Sequence, residues 1–292
     1  MVVVDSHAHI FPPEVKLRRE TFCMLDENFG DLYGDPAARI ATAEDLLAEM
    51  EESGVDVTVI CGFGWSSHEL CVMQNDYLLD CIRRYPTRLA ALASLQPLAA
   101  ERAIAEVDRC LDGGMKGVGE LMPDGQGYRL NELHRVGPLF EHAARRGFPV
   151  MTHASEPVGH YYPGKGTATP DSVWPLVQAF PEAKLILAHW GGGYPFYELM
   201  PEVRRGSTNV YYDSAASTYL YSPEVFLHVG RIVGFEKILW ATDYPVLRQG
   251  RFLQRMRMLE LPEGSREALL GGNAARLFGP FGRPLESLGR ES

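Results

Sequence analysis

Eight short runs rich in Val, Ile and Leu recur along the chain, separated by amphipathic stretches, which is the pattern of parallel strands joined by crossover helices. The runs cover residues 2–5, 56–61, 89–94, 117–121, 149–153, 184–189, 209–213 and 237–242. Leu185-Ile186-Leu187-Ala188 is apolar at consecutive positions, as a strand covered on both faces requires. Helix punctuation lies between the runs. Thr42 with Asp45 makes a capping-box start, Leu46, Leu47 and Met50 supply a stripe, and Gly54 stands where a helix stops. Thr169-Pro170 and Ser222-Pro223 each place a capping hydroxyl before a first-turn proline. An open doubly wound sheet uses the same right-handed unit. The count of eight and the length of 292 residues favour a single closed (βα)8 barrel, for which about 250 residues is typical. The barrel is expected over 1–279, with a polar tail over 280–292.

No G-x-G-x-x-G follows the first run, so the usual dinucleotide signature is missing there, and Gly191-Gly192-Gly193 reads as a tight turn. Residues 10–41 form a long first connection, and a stretch of that length without regular structure is expected to serve as a lid.

A formal net charge of -10 repels phosphate backbones and excludes nucleic acid as the expected partner. The start, Met1-Val2-Val3-Val4-Asp5, reaches a charge before a signal-peptide core forms, and no apolar run approaches the roughly 20 residues of a membrane span. A cytoplasmic protein without a membrane partner is therefore expected. The five cysteines, Cys23, Cys61, Cys71, Cys81 and Cys110, show no C-x-x-C spacing and read as reduced thiols. Association into a homo-oligomer through outer helices is compatible with an acidic barrel of this size.

The first run leads into His7-Ala8-His9, and residues two apart on a strand point the same way, so both imidazoles can reach one ion. His153 ends the fifth run, His189 the sixth, and Asp243 follows the eighth. In a barrel of this kind, strand ends converge on the C-terminal mouth, where active sites lie. Taken singly, His153 or His189 could satisfy a core hydrogen bond and Asp243 could cap a helix. Taken together they describe a metal site. Neutral imidazoles and a carboxylate suit zinc first, with manganese, iron, cobalt or nickel as alternatives. Four protein ligands leave room for a water that the ion would activate as a nucleophile.

These segments resemble the amidohydrolase superfamily, and within it amidohydrolase family two. The resemblance runs through Asp5-Ser6-His7-Ala8-His9, Thr152-His153-Ala154, Leu187-Ala188-His189-Trp190-Gly191 and Ala241-Thr242-Asp243-Tyr244-Pro245. It implies His7, His9, His153 and Asp243 as metal ligands and His189 as an acid/base or a clamp on a carbonyl oxygen. It also implies that Asp243 shuttles a proton. Glu120, ending the fourth run, stands where some relatives carry a metal-bridging carboxylate. One ion is expected, or two if Glu120 bridges; otherwise Glu120 orients a ligand histidine or contacts substrate.

The expected activity is hydrolysis of a small amide, ester or lactone by metal-activated water. The alternative is non-oxidative decarboxylation of an aromatic or enoic acid, because that branch includes decarboxylases of carboxylated muconate semialdehydes and hydroxybenzoates. Filled ligand positions argue against a catalytically silent metal-binding scaffold, and the acidic balance against a deoxyribonuclease. Substrate contacts are sought in the loop after His153, at His160, Tyr161 and Lys165, and at Trp190 with Tyr194. Trp65 and His68 are weaker candidates. Arg18 and Arg19 read as a solvated pair before a carboxylate clamp.

Overall fold

A computed structural model describes residues 2–281, so all but the first two positions of the expected tail lie outside the described residues. The strands are β1 (Val4–His9), β2 (Val57–Cys61), β3 (Leu89–Leu92), β4 (Val118–Leu121), β5 (Pro149–Thr152), β6 (Lys184–Leu187), β7 (Val210–Asp213) and β8 (Ile238–Leu239). They pair in parallel as β1-β2-β3 and β4-β5-β6-β7-β8. Single bridges Ala93–Val118 and Ala8–Tyr244 join the two sheets into a barrel.

The strands lie within a few residues of the expected runs, with two informative shifts. β1 extends through His9, so both histidines lie within the strand and not just beyond it, with Ala8 and His9 in register with Ile60 and Cys61. β8 is cut to two residues because side chains take over the ladder beyond it. Ser214 Oγ accepts the Ala241 amide at 2.9 Å and Asp5 Oδ1 accepts the Thr242 amide at 2.9 Å.

The first connection is not irregular, as expected from its sequence, but holds α1 (Pro13–Leu17), α2 (Arg19–Leu25) and α3 (Glu27–Tyr33) before the first crossover helix, α4 (Ala43–Ser53). The reason is apolar: Phe11, Phe22, Phe29 and Tyr33 form a buried cluster with Phe63 and Trp65 from the loop after β2. α4 has the expected capping box, and Gly54 ends it at φ 75°. The remaining crossovers are α5 (His68–Arg84), α6 (Glu101–Asp112), α7 (Leu133–Arg146), α8 (Pro170–Ala179), α9 (Pro201–Gly206), α10 (Ser217–Leu220) and α11 (Val225–Val233). After β8 come α12 (Gln249–Met258), α13 (Ser265–Glu267) and α14 (Asn273–Phe278).

Two capping expectations fail in detail. α8 starts at Pro170, but the Thr169 hydroxyl turns to Asp171 and makes no cap. α11 starts at Val225 because Ser222-Pro223 makes a turn, with the Val225 amide on the Ser222 carbonyl at 3.1 Å.

The main core lies between the barrel wall and the helices, while Val57, Val59, Cys61, Leu92, Met151, Ile186 and Leu239 belong to a second buried cluster. All five cysteines are free. Among the described residues no helix is long and apolar enough to cross a membrane.

Candidate active site

His7 is fully buried in β1, and its Nδ1 lies 2.8 Å from Asp213 Oδ2 at the end of β7. An ionised carboxylate only accepts, so Nδ1 carries a hydrogen and Nε2 is the nitrogen that faces inward, charged with its own hydrogen when no ion is bound and free to offer a lone pair when one is. There it meets His9 Nε2 at 3.0 Å. Glu120 Oε2 lies 3.5 Å from His7 Nε2 and 3.3 Å from His9 Nε2, and Asp243 Oδ1 lies 3.9 and 3.6 Å from the same two atoms. The other Glu120 oxygen, Oε1, is 3.1 Å from His153 Nδ1 and 3.3 Å from His189 Nε2. Ligand atoms thus converge in two adjoining groups, His7-His9-Asp243 and Glu120-His153-His189.

Among the described residues no lysine or arginine pairs with Glu120, Asp213 or Asp243. Buried carboxylates need a compensating charge. Two of these three, facing inward imidazole lone pairs, make a donor set that fits a divalent cation.

The electrostatics follow from this crowding. Burial opposes ionisation of Glu120, but the charge on His7 and the hydrogen bonds from His153 and His189 outweigh it and hold its carboxyl well below the usual range. For His189, burial favours the neutral ring, yet the Glu120 hydrogen bond and the charges of Glu120, Asp243 and Asp213 push its pKa up to about 9. Its Nδ1 faces the Ala215 carbonyl at 3.2 Å, a pure acceptor, so that nitrogen carries a hydrogen.

Backbone strain gathers here. His189, Trp190, Gly191, Gly192 and Gly193 have φ of 55°, 59°, 59°, 57° and 89°, so the turn expected at the three glycines is left-handed and begins at His189. Asp213 Oδ1 receives the His189 amide at 2.9 Å and so anchors its start. A Cβ on Gly192 would stand 2.1 Å from the Ser155 carbonyl oxygen, so the turn and the loop after β5 touch backbone to backbone. Asp243 is also left-handed, at φ 61°. Its amide donates to His7 O at 2.9 Å, and the neighbouring Thr242 hydroxyl meets Asp5 Oδ2 at 2.5 Å. Burial, only partly offset by hydrogen bonds from Thr242 and Gln249, pushes the Asp5 pKa up to about 6.

Above the cluster opens a cavity of about 550 Å³, within the range of small-molecule sites. His9, Glu120, His153, His189 and Asp243 line its floor, and His160 lines its wall. Other candidates lie elsewhere. Tyr161, sought as a substrate contact, is 78% exposed and outside the lining, because the loop turns it to solvent. Lys165 is spent on its own loop, where Nζ donates to the carbonyls of Val158 at 2.6 Å and His160 at 3.1 Å. Trp190 is buried behind the left-handed turn, with Nε1 donating to Ser217 Oγ at 2.8 Å. Tyr194 is buried with its hydroxyl 3.2 Å from Ser207 Oγ. Trp65 belongs to the aromatic cluster, and His68 begins α5. Arg18 pairs with Glu14 at the surface, while Arg19 donates to the carbonyls of Asp35 and Ala38.

Asp213, Tyr33 and Arg39 were not anticipated. Asp213 ends a strand, so the rule that singled out Glu120 could have found it. Tyr33 and Arg39 come from the first connection, which was expected as a lid but within which no local pattern singles out these two residues.

Among curated relatives, the chain is 25% identical to the 2-amino-3-carboxymuconate-6-semialdehyde decarboxylase of Dictyostelium discoideum, covering 94% of this chain and 91% of the relative. It is 24% identical to the 6-methylsalicylic acid decarboxylase of Penicillium expansum, over 95% and 96%. A solved 5-carboxyvanillate decarboxylase from Novosphingobium aromaticivorans, complexed with manganese and 4-hydroxy-3-methoxy-5-nitrobenzoic acid, shares the fold. Its TM-score is 0.78 at 17% identity, covering 95% of this chain and 96% of that one. These matches overturn the expectation of amide, ester or lactone hydrolysis, since the relatives aligned along nearly the whole chain are decarboxylases. A family model described as Amidohydrolase matches residues 4–279, and the chain belongs to that family.

Proposed function

We propose that the protein is a metal-dependent, non-oxidative decarboxylase of a small aromatic or enoic carboxylic acid, converting a carboxylate and a proton to the shortened product and carbon dioxide. The observation that carries this reading is the end-to-end likeness to two curated decarboxylases. The cavity supports it: aromatic and apolar side chains such as Phe63 and Met122 face a floor of histidines and carboxylates, with Arg39 on the wall as a cation for an anionic substrate.

The proposed ligand set is His7, His9, His153 and Asp243, with Glu120 beside them. A divalent ion held there would supply Lewis acidity toward a hydroxyl or carbonyl oxygen of the substrate. We propose manganese in place of the zinc expected from the sequence, since the donors are imidazole and carboxylate without thiolate and a neighbour of the same fold binds manganese.

The chain's own groups divide the remaining work. Asp213 fixes the tautomer of His7 and the start of the left-handed turn. Asp243, on the cavity floor, takes up a proton from water entering the cavity and passes it to the carbon that loses carbon dioxide. As that carbon–carboxyl bond breaks, its electron pair passes into the ring or enoic system and settles on the oxygen substituent. His189, held between Glu120 and the Ala215 carbonyl, faces that oxygen and offsets the developing negative charge by donating a hydrogen bond to it.

The test is to load metal-free protein with Mn2+ or Zn2+ and offer 2,6-dihydroxybenzoate, 6-methylsalicylate and a carboxylated muconate semialdehyde. Carbon dioxide release is expected from at least one acid, with one deuterium incorporated at the vacated carbon in D2O. Silence with every acid overturns the reading.

A further inference from the structure

Tyr33 closes α3 and is 8% exposed, and its ring is held on three sides. It stacks on Phe29 with centroids 4.8 Å apart and meets Phe11 and Phe63 edge-on at 5.2 and 6.0 Å. A ring so packed does not swing. Its open side faces the cavity whose floor holds Glu120 and Asp243.

Buried tyrosine hydroxyls find partners as a rule. In this protein Tyr212 donates to Glu198 at 2.6 Å, Tyr128 to Gln126 at 3.4 Å and Tyr244 to the Asp45 carbonyl at 3.3 Å. Among the described residues the Tyr33 hydroxyl has no such partner, and it is not sealed off from solvent but opens to the cavity. Burial first, then the two carboxylates, raise its pKa above the ordinary value, which keeps the hydroxyl a donor at neutral pH. A locked O–H beside a floor rich in carboxylate acceptors, yet bonded to none of them, is suited to meet an acceptor that arrives with the ligand.

We infer that the Tyr33 hydroxyl donates a hydrogen bond to an anionic oxygen, carboxylate or phenolate, of the ligand in this cavity. The inference takes the ligand's class, a hydroxylated or enoic acid, from the decarboxylase reading. Tyr33 would thereby select for an oxygen anion at one corner of the site, distinct from the corner served by His189.

The test is salicylate binding to the Mn2+-loaded protein by titration calorimetry, in wild type and Tyr33→Phe. Phenylalanine keeps the ring within its cluster, so metal content and melting temperature are expected to stay unchanged while salicylate affinity falls about tenfold, the equivalent of ~1.4 kcal/mol. Affinity within twofold of wild type overturns the inference. So does loss of metal or a markedly lower melting temperature in Tyr33→Phe, which would assign the hydroxyl a structural role, and so does wild-type protein that binds no salicylate. If salicylate binds and Tyr33→Phe weakens it, yet none of the three acids releases carbon dioxide, the decarboxylase reading fails while the Tyr33 contact stands.

Discussion

His7 and His9 differ by what holds the far side of each ring. Asp213 takes the outer nitrogen of His7, which aims its inner nitrogen, while the outer nitrogen of His9, Nδ1, is buried without a partner among the described residues. Orientation by an outer carboxylate commonly accounts for 10–100-fold in metal affinity. His189 is different again, being clamped between Ala215 and Glu120 and carrying charge. These environments separate the residues in mutagenesis. His7→Ala and Asp243→Asn are expected to lose bound metal and turnover together. His189→Asn is expected to keep its metal while kcat falls at least about 100-fold, the lower end for a positioned acid or electrostatic group. Metal analysis beside steady-state kinetics checks both, and a metal-free His189→Asn protein would reassign that residue as a ligand. His7, His9, His153, His189, Glu120 and Asp243 were all legible in the sequence because each stands in or just after an apolar run. Asp213 obeys the same rule, but unlike Glu120 it was not drawn out by the family resemblance.

At the level of elements, the segment after β6 decides how the mouth is built. Five successive left-handed residues are costly for an L-amino-acid chain, at roughly 1–2 kcal/mol for each non-glycine member. Three of the five are glycine, which keeps that cost to His189 and Trp190. Gly192 is required twice, by its φ of 57° and by the 2.1 Å approach a Cβ would make to the Ser155 carbonyl. Gly192→Ala is therefore expected to destabilise the protein by about 3 kcal/mol, combining overpacking with left-handed strain. It should also disturb His189 and the adjacent His153 loop. Denaturant unfolding measures the first effect, and an unchanged midpoint would show that the turn relaxes freely. The triple glycine announced a turn, but its handedness follows from a backbone contact with a loop about 35 residues earlier in the chain, which no local pattern encodes. The helices of the first connection are a similar case. Their aromatic residues are conspicuous only once Phe63 and Trp65 arrive from beyond β2 to bury them.

Across the whole molecule the barrel concentrates buried acid at one end. Buried Glu120 and Asp213 meet the part-buried Asp243 there, and among the described residues only imidazoles pair with the three. A bound cation would stabilise the fold by mass action, by about 2.7 kcal/mol at a hundredfold excess over Kd. Chelation is therefore expected to lower the melting temperature by roughly 5–10 °C, and Mn2+ to restore it, as scanning calorimetry would record. In the metal-free protein, charged histidine takes over that balance. His189 has a folded pKa of about 9 against an ordinary 6.5, so its contribution is full below about 6.5 and is lost as pH rises through 9. Metal-free protein should thus lose stability between those values more steeply than loaded protein. Equal slopes would remove histidine charge from the account.

The amino-acid sequence by itself determined the barrel and most of the residues on its cavity floor, because strand burial and strand ends are local properties that repeat with each unit. What only the tertiary structure decided is the upper cavity. Tyr33 and Arg39 reach it from the first connection, while Trp190, Tyr161 and Lys165 turn away from it. The physical reason is that a strand's direction is imposed by its neighbours in the sheet. A loop's direction is settled by whichever distant apolar surface or backbone carbonyl it happens to satisfy.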